Sequence, residues 1–282
     1  MLSKRLVEQF HRQGFVAAKQ IIGPKTLDQL RRAVEEIIEE SRHVTEGNGL
    51  VEIEPDHSPQ QPRLRRICQP VSQRQIFWEI AKSDAVLQCV AQLIGPNIRF
   101  DHSKLNMKAS KGGMEIGWHQ DAAFFPHTNF DLVGCGIALD DCTVANGCLM
   151  VIPGTHRLPI LSHRIDDEFV GQITSGTNTF EPDQAVPVEL KAGDMSIHHV
   201  LAVHGSNQNL TPDQRRLLIF EYAAADAMPL EPRPKTSQYD GCIVHGRAST
   251  HARLVGQMRI PLRRASPADR AGSIFDRQKA RT

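Results

Sequence analysis

A histidine and an aspartate stand two residues apart in Gly117-Trp118-His119-Gln120-Asp121-Ala122-Ala123-Phe124-Phe125-Pro126, among apolar neighbours. In an extended strand, residues i and i+2 project from one face, so His119 and Asp121 would bring an imidazole and a carboxylate to a single point. A catalytic metal needs a third protein ligand and open positions. Two histidines with one carboxylate form the facial set that suits non-haem Fe(II) oxygenases. His204, in "LAVHGSNQN", closes a later apolar run ahead of a turn-rich stretch and is the candidate third ligand. Arg215 follows eleven residues on, at the start of "RRLLIFEY", where its planar fork would match a carboxylate co-substrate. Arg216 competes for that role, but adjacent strand residues face opposite sides, so one of the pair enters the interior.

Each group taken singly has an ordinary alternative: a solvated His-X-Asp pair, a core histidine, a surface ion-pair arginine. Their order along the chain, between β-rich runs, favours the joint reading. Zinc accepts the same ligand types, so a zinc hydrolase is a rival, as is a metal-binding barrel without catalysis. A second group of charges is basic: Arg63, Arg65 and Arg66 in "QPRLRRICQP", with Lys104, Lys108 and Lys111. Such a cluster, and Arg66 and Lys104 in particular, would suit a small anionic substrate such as a phosphonate or phosphinate; a solvated rim is the ordinary alternative and the one favoured here. Lys108 is also a candidate for holding an anionic group of the co-substrate. An aromatic content of 5% argues against a cavity built for a large planar ligand.

The chain as a whole is neutral. Lys and Arg number 33 against 32 Asp and Glu, a net charge of +1, so no global field draws it to nucleic acid or an anionic membrane. No apolar run approaches the ~20 residues that span a bilayer, and "MLSKRLVEQFHRQGF" lacks a signal-peptide core, so a cytoplasmic location is expected. The six cysteines form no CxxC pair and suggest neither a disulfide framework nor a zinc ribbon.

The elements that must position these groups divide into a helical and a β-rich part. Ser3 caps a predicted short helix ending near Gly14. "GPKTLDQLRRAVEEIIEESR" carries a stripe of Leu27, Leu30, Val34, Ile37 and Ile38 behind Pro24. Residues 43–63 read as a long loop, and "IFWEIAKSDAVLQCVAQLIG" as helix up to Gly95. From residue 98, short runs follow one another: "IRFDHSKLNMKA", "LVGCGIALDDC", "CLMVIPGTH", "AVPVELKAGDMSIHH", "LAVHGS" and "RRLLIFEYAAA". Many strands after a few helices predict an antiparallel sandwich or barrel buttressed by helices, in one domain over 1–282. The polar segment 162–184, with His163 and Arg164, interrupts the pattern where a lid or specificity loop would lie.

"WHQDAAFFPHTNFDLVGCGIALDDCTVANGCLMVIPGTHR" and "KAGDMSIHHVLAVHGSNQNLTPDQRRLLIFEYAAADA" together resemble the phytanoyl-CoA dioxygenase family of Fe(II)/2-oxoglutarate oxygenases. The likeness includes Asn146-Gly147-Cys148-Leu149, Pro153-Gly154-Thr155-His156, Gly193-Asp194 and His204-Gly205-Ser206, and "VEQFHRQGFV" near the start. It is weak at 40–65 and 230–282. The resemblance implies a double-stranded β-helix, a jelly-roll or cupin-like barrel over about 98–225 with flanking helices. It assigns His119, Asp121 and His204 to Fe(II), Arg215 to the distal carboxylate of 2-oxoglutarate, and a supporting hydroxyl to Ser206. In the family the position of Gln120 often lies near the pocket. With the carboxylate of Asp121 present, the resemblance implies hydroxylation, in which O2 and 2-oxoglutarate are consumed and succinate and CO2 released. The substrates it suggests are small metabolites: phosphonates, hypophosphite, osmolytes, amino acids, natural products or an acyl-CoA.

Overall fold

The computed structural model describes residues 1–174, 179–231 and 236–256. Its elements, in order, are α1 (Lys4–Gln13), β1 (Phe15–Ala18), α2 (Pro24–Glu40), β2 (Val51–Ile53), β3 (Leu64–Cys68), α3 (Pro70–Gln73), α4 (Gln75–Ala81) and α5 (Asp84–Ile94). The β-rich part follows: β4 (Ile98–Lys108), β5 (Ile116–His119), β6 (Leu132–Ala138), β7 (Leu149–Val151), β8 (Arg164–Ile165), β9 (Glu168–Phe169), β10 (Val186–Val188), β11 (Met195–His199), β12 (His204–Ser206), β13 (Arg215–Ala224) and β14 (Ile243–His245).

Local chemistry explains the helices. The Ser3 hydroxyl accepts from the Leu6 N–H, and Gly14, at φ 86°, turns the chain and returns its own N–H to Phe10. In α2 the apolar stripe is buried and Pro24 occupies the first turn, as its spacing predicts. The helix expected up to Gly95 is instead two, α4 and α5. Ser83 is extended (φ −70°, ψ 144°) and its hydroxyl donates to the Ile80 carbonyl, a local bond that competes with continuing the helix. The predicted loop 43–63 contains β2, a three-residue edge strand held by pairing to β3. So short a strand has too little alternation to be read from sequence.

All pairings are antiparallel. The larger sheet runs β1-β11-β6-β13-β4-β3-β2, with β14 also on β4; the smaller runs β10-β7-β12-β5. The two enclose a cavity, as the jelly-roll reading expects. Along β13, alternation divides the sheet's faces. Leu218, Phe220 and Tyr222 pack outward into one core with Leu30, Val34 and Ile37 of α2 and Val86, Leu87 and Val90 of α5. Each such side chain contributes roughly 1.5–3 kcal/mol by leaving water, and Tyr222 also donates its hydroxyl to the Ala81 carbonyl. Arg215, Leu217, Ile219 and Glu221 face the cavity, opposite Lys108, Asn106, Lys104 and His102 of β4. Within the strands of the larger sheet, Gly134 and Gly136 of β6 keep the centre of that floor low. The segment 162–184 contributes the hairpin β8-β9; its residues 175–178 lie outside the described residues. No helix among the described residues is long and apolar enough to cross a membrane.

Candidate active site

His119 is the last residue of β5 and His204 the first of β12, directly across the ladder from it. Asp121 lies beyond the strand, opening a 3-10 turn over Asp121–Ala123. The alternation expected of a strand nevertheless carries through, because Gln120 is extended at φ −120° and ψ 128°. His119 Nε2 is 3.9 Å from Asp121 Oδ1, and His204 Nε2 is 3.7 Å from Oδ2. One ligand atom from each of the three lies within 4.8 Å of the others, and all three residues are buried.

The tautomers suit a metal. His119 donates through Nδ1 to the Gly117 carbonyl and His204 through Nδ1 to the Ala202 carbonyl, both at 2.9 Å, which leaves each Nε2 lone pair directed at the centre. Burial pushes the pKa of His119 down to about 4 and that of His204 well below its usual value, so both rings are neutral. Burial alone would raise the Asp121 carboxyl, but the charge of Lys104 and the hydrogen bond from His198 outweigh it and hold the group well below the usual range. Two neutral imidazoles and a carboxylate, with one side open to a cavity, fit Fe(II).

That cavity measures about 1220 Å³ and is lined by the three groups together with Ser206, Arg215, Lys104 and Arg66. Arg215 is 3% exposed. Its Nη2 donates to the Gly147 carbonyl at 3.1 Å, while Nε and Nη1 have no hydrogen-bond partner among the described residues; neither does the Ser206 hydroxyl. The neighbouring thiols offer no counter-charge, since burial pushes Cys142 up to about 12 and Cys148 up to about 11. A buried guanidinium with vacant donors, beside a buried hydroxyl, fits a ligand carboxylate.

Other expectations need correction. Lys108 does not line the cavity. Its ammonium donates to the Met114 carbonyl, and burial, then the charge of Arg215, push its pKa down to about 6. It is poorly suited to anchor an anion. Gln120 also points away: its amide nitrogen donates to Leu201 O at 2.9 Å and Pro159 O at 3.2 Å, and its oxygen accepts from Leu161 N–H at 2.8 Å. It ties the segment after Pro159 to the metal-bearing strand. His163 is likewise buried and structural, accepting from Gln120 N–H and donating to Leu161 O. The basic cluster carries its own counter-ions: Arg63 meets Asp56 at 3.2 Å, and Arg65 and Arg66 share Glu52 at 3.5 and 3.6 Å. Lys104 stands 3.3 Å from Glu221 and 3.9 Å from Asp121.

Glu221 and His198 are the residues that sequence reasoning missed. Glu221 is buried on the cavity floor, its carboxyl raised first by burial and then by the charge of Asp121. His198 Nε2 lies 3.0 Å from Asp121 Oδ2. The signal for Glu221 was there: a lone carboxylate amid "LLIFEYAAA" is a charge placed where apolar residues pack.

The fold and this donor set define a cupin-like oxygenase. A crystal structure of EctD from S. alaskensis with 2-oxoglutarate and 5-hydroxyectoine shares the fold, with a TM-score of 0.71, 21% identity and coverage of 88% of both chains. The family model for Phytanoyl-CoA dioxygenase (PhyH) matches residues 10–217. The chain is 33% identical over 224 residues to a probable alpha-ketoglutarate-dependent hypophosphite dioxygenase of Stutzerimonas stutzeri, covering 78% of this chain and 77% of the relative. It is 25% identical over 227 residues to the peroxisomal phytanoyl-CoA dioxygenase of Homo sapiens, covering 77% and 67% respectively. The protein therefore belongs to the phytanoyl-CoA dioxygenase family, and is an Fe(II)- and 2-oxoglutarate-dependent dioxygenase acting on a small molecule.

Proposed function

We propose that His119, Asp121 and His204 hold Fe(II), that Arg215 and Ser206 receive the distal carboxylate of 2-oxoglutarate, and that the substrate is a small anionic metabolite of the phosphonate or hypophosphite class. The observation that carries the site assignment is the vacant pair of donors on Arg215, in the same cavity as the two Nε2 lone pairs. The substrate class is supported by the S. stutzeri relative and by the ammonium of Lys104 beside the ligand set. A cavity of about 1220 Å³ leaves room for an organic group on the anion. Unpaired cysteines at all six positions accord with the reducing cytoplasm as the place of action.

When bound, iron and 2-oxoglutarate would supply the chemistry by which O2 is used, one oxygen atom leaving in succinate with release of CO2 and the other oxidising the substrate. The protein contributes position. Backbone carbonyls fix the two imidazoles, Arg215 would fix one end of the co-substrate, and Leu149, Ile116 and Leu217 supply apolar lining in the same cavity. Lys104 would meet the anionic end of the substrate on the side of Glu221.

The test is anaerobic loading with Fe(II) and 2-oxoglutarate, oxygen exposure, and succinate measurement with hypophosphite, phosphonates, ectoine, amino acids and an acyl-CoA. Stimulation by a phosphorus oxyanion, with its oxidised product, is the expected result. Stimulation only by ectoine, an amino acid or the acyl-CoA would remove the substrate class and leave the enzyme class standing.

A further inference from the structure

We infer that His198 is a positioning residue for the metal site: its Nε2–H holds Oδ2 of Asp121 and so fixes the orientation of that carboxylate between the two candidate imidazole ligands. The inference rests on the ligand assignment proposed above. His198 lies on the cavity face of β11, opposite Gly134 of β6, and is 5% exposed. Its Nε2 is 3.0 Å from Asp121 Oδ2, while its Nδ1 has no hydrogen-bond partner among the described residues. An ionised carboxylate only accepts, so Nε2 of this ring bears a proton.

His119 and His204 are arranged the opposite way. Their Nδ1–H groups are spent on Gly117 and Ala202 carbonyls and their Nε2 lone pairs are free. Of three histidines around one carboxylate, two present a lone pair and one presents a proton. That division separates ligands from positioner, because a ring donating Nε2–H to Asp121 has no Nε2 lone pair to give a metal.

The backbone makes room for the arrangement. A Cβ on Gly134 would come within 2.6 Å of His198 Cε1, 2.7 Å of its Nε2 and 3.1 Å of Glu221 Oε2. Only glycine lets the imidazole lie this close to the sheet while reaching Asp121. Glu221 borders the same gap, yet the Nε2–H goes to Asp121. The two oxygens each face one candidate ligand: Oδ1 lies 3.9 Å from His119 Nε2 and 3.9 Å from Lys104 Nζ, and Oδ2 lies 3.7 Å from His204 Nε2. With Oδ2 held by a fixed bond, the Asp121 carboxylate keeps one orientation toward the site that a metal would occupy.

Two measurements test this on the full-length protein. A long-range proton–nitrogen spectrum of the Zn(II)-loaded wild type should show a proton on His198 Nε2 and His119 and His204 protonated at Nδ1; a His198 without a proton on Nε2 overturns the proposal without any variant. In anaerobic Co(II) titrations, His198→Phe should raise the metal Kd by about 10- to 100-fold, and His198→Gln, which retains an N–H donor, should restore most of it. A merely structural role would lower the melting temperature of the metal-free protein in both variants and show no selective rescue of metal affinity. Unchanged Co(II) affinity in His198→Phe overturns the positioning role. His119→Ala separates the two readings: if it loses the metal while His198→Phe does not, only the role of His198 falls, and if it binds as the wild type does, the ligand assignment falls and takes the inference with it.

Discussion

Arg215 and Arg216 are neighbours on β13, and the strand's two faces treat the same guanidinium in opposite ways. Toward the helices, Arg216 is fully matched: Nε and Nη2 each reach Asp140 at 2.8 Å, and Nη1 reaches Glu35 of α2 at 2.5 Å. Toward the cavity, Arg215 makes one bond, to the Gly147 carbonyl, and two of its nitrogens have no partner among the described residues. A buried charge without a counter-ion is costly, so the cavity face forgoes stability that the helix face collects. A similar contrast separates Arg66, ion-paired with Glu52 at 3.6 Å, from the two imidazoles whose Nε2 lone pairs face the cavity. Charged groups that complete one another hold the fold together, and those left incomplete around a shared space mark where a ligand enters.

The most severe way to break this contrast is to remove a ligand from the cavity. His119→Ala or Asp121→Ala should abolish metal binding and succinate formation while the metal-free protein still folds cooperatively, because neither group belongs to the apolar core between sheet and helices. Turnover persisting in both variants would refute the site. The paired arginines then give a double dissociation. Arg215→Ala should weaken 2-oxoglutarate by about 2–5 kcal/mol, roughly 30-fold or more in Kd, with little change in melting temperature. Arg216→Ala should do the reverse, lowering unfolding stability by about 1–3 kcal/mol and leaving the co-substrate Kd alone. An Arg216 variant deficient in 2-oxoglutarate binding would mean the faces had been assigned the wrong way round.

How much of this was legible in the sequence follows from the range of each interaction. The helices with long stripes, the β-rich core and the set His119, Asp121, His204 and Arg215 depend on periodicity and spacing, which a chain carries locally. Only one of the adjacent arginines was expected to enter the interior, and alternation along β13 accounts for that. What escaped depends on partners distant in the chain. Arg66 looks basic until Glu52 is brought beside it by β2, and Lys108 looks like an anion anchor until burial and the Met114 carbonyl claim its ammonium. Gln120 faces away because the segment from Pro159 to His163 folds against it. His198 reads as one more histidine in "MSIHH" and acquires its meaning only when β11 lies across β6, beside Asp121.

Lys108 sharpens the contrast because it is a buried amine on neither side of it, with no ion-pair partner among the described residues and no place in the cavity lining. Its pKa is about 6 in the fold against an ordinary 10.5. Between those values the unfolded chain binds a proton that the folded one does not, so stability rises with pH across that window and falls as pH drops toward 6. Lys108→Met should therefore stabilise the protein, with a gain that grows from about pH 10 down to about pH 6 and then levels, while 2-oxoglutarate affinity stays unchanged. Equilibrium unfolding at several pH values measures it; a gain that grows with rising pH would contradict the burial of a neutral amine.

The smallest effect belongs to the rim, where Arg63 meets an Asp56 whose side chain is 62% exposed. Asp56→Asn frees the guanidinium from its partner at a cost below about 1 kcal/mol, the usual worth of a solvated pair. If the cations of the 63–66 stretch recruited an anionic substrate, releasing one of them would lower the substrate KM and make it more sensitive to salt. We expect neither, because recognition of the anion is assigned to Lys104 inside the cavity, whereas Asp56 and Arg63 lie outside its lining. A salt-dependent fall in KM for Asp56→Asn would move the boundary between the self-matched and the ligand-seeking charges outward to the rim.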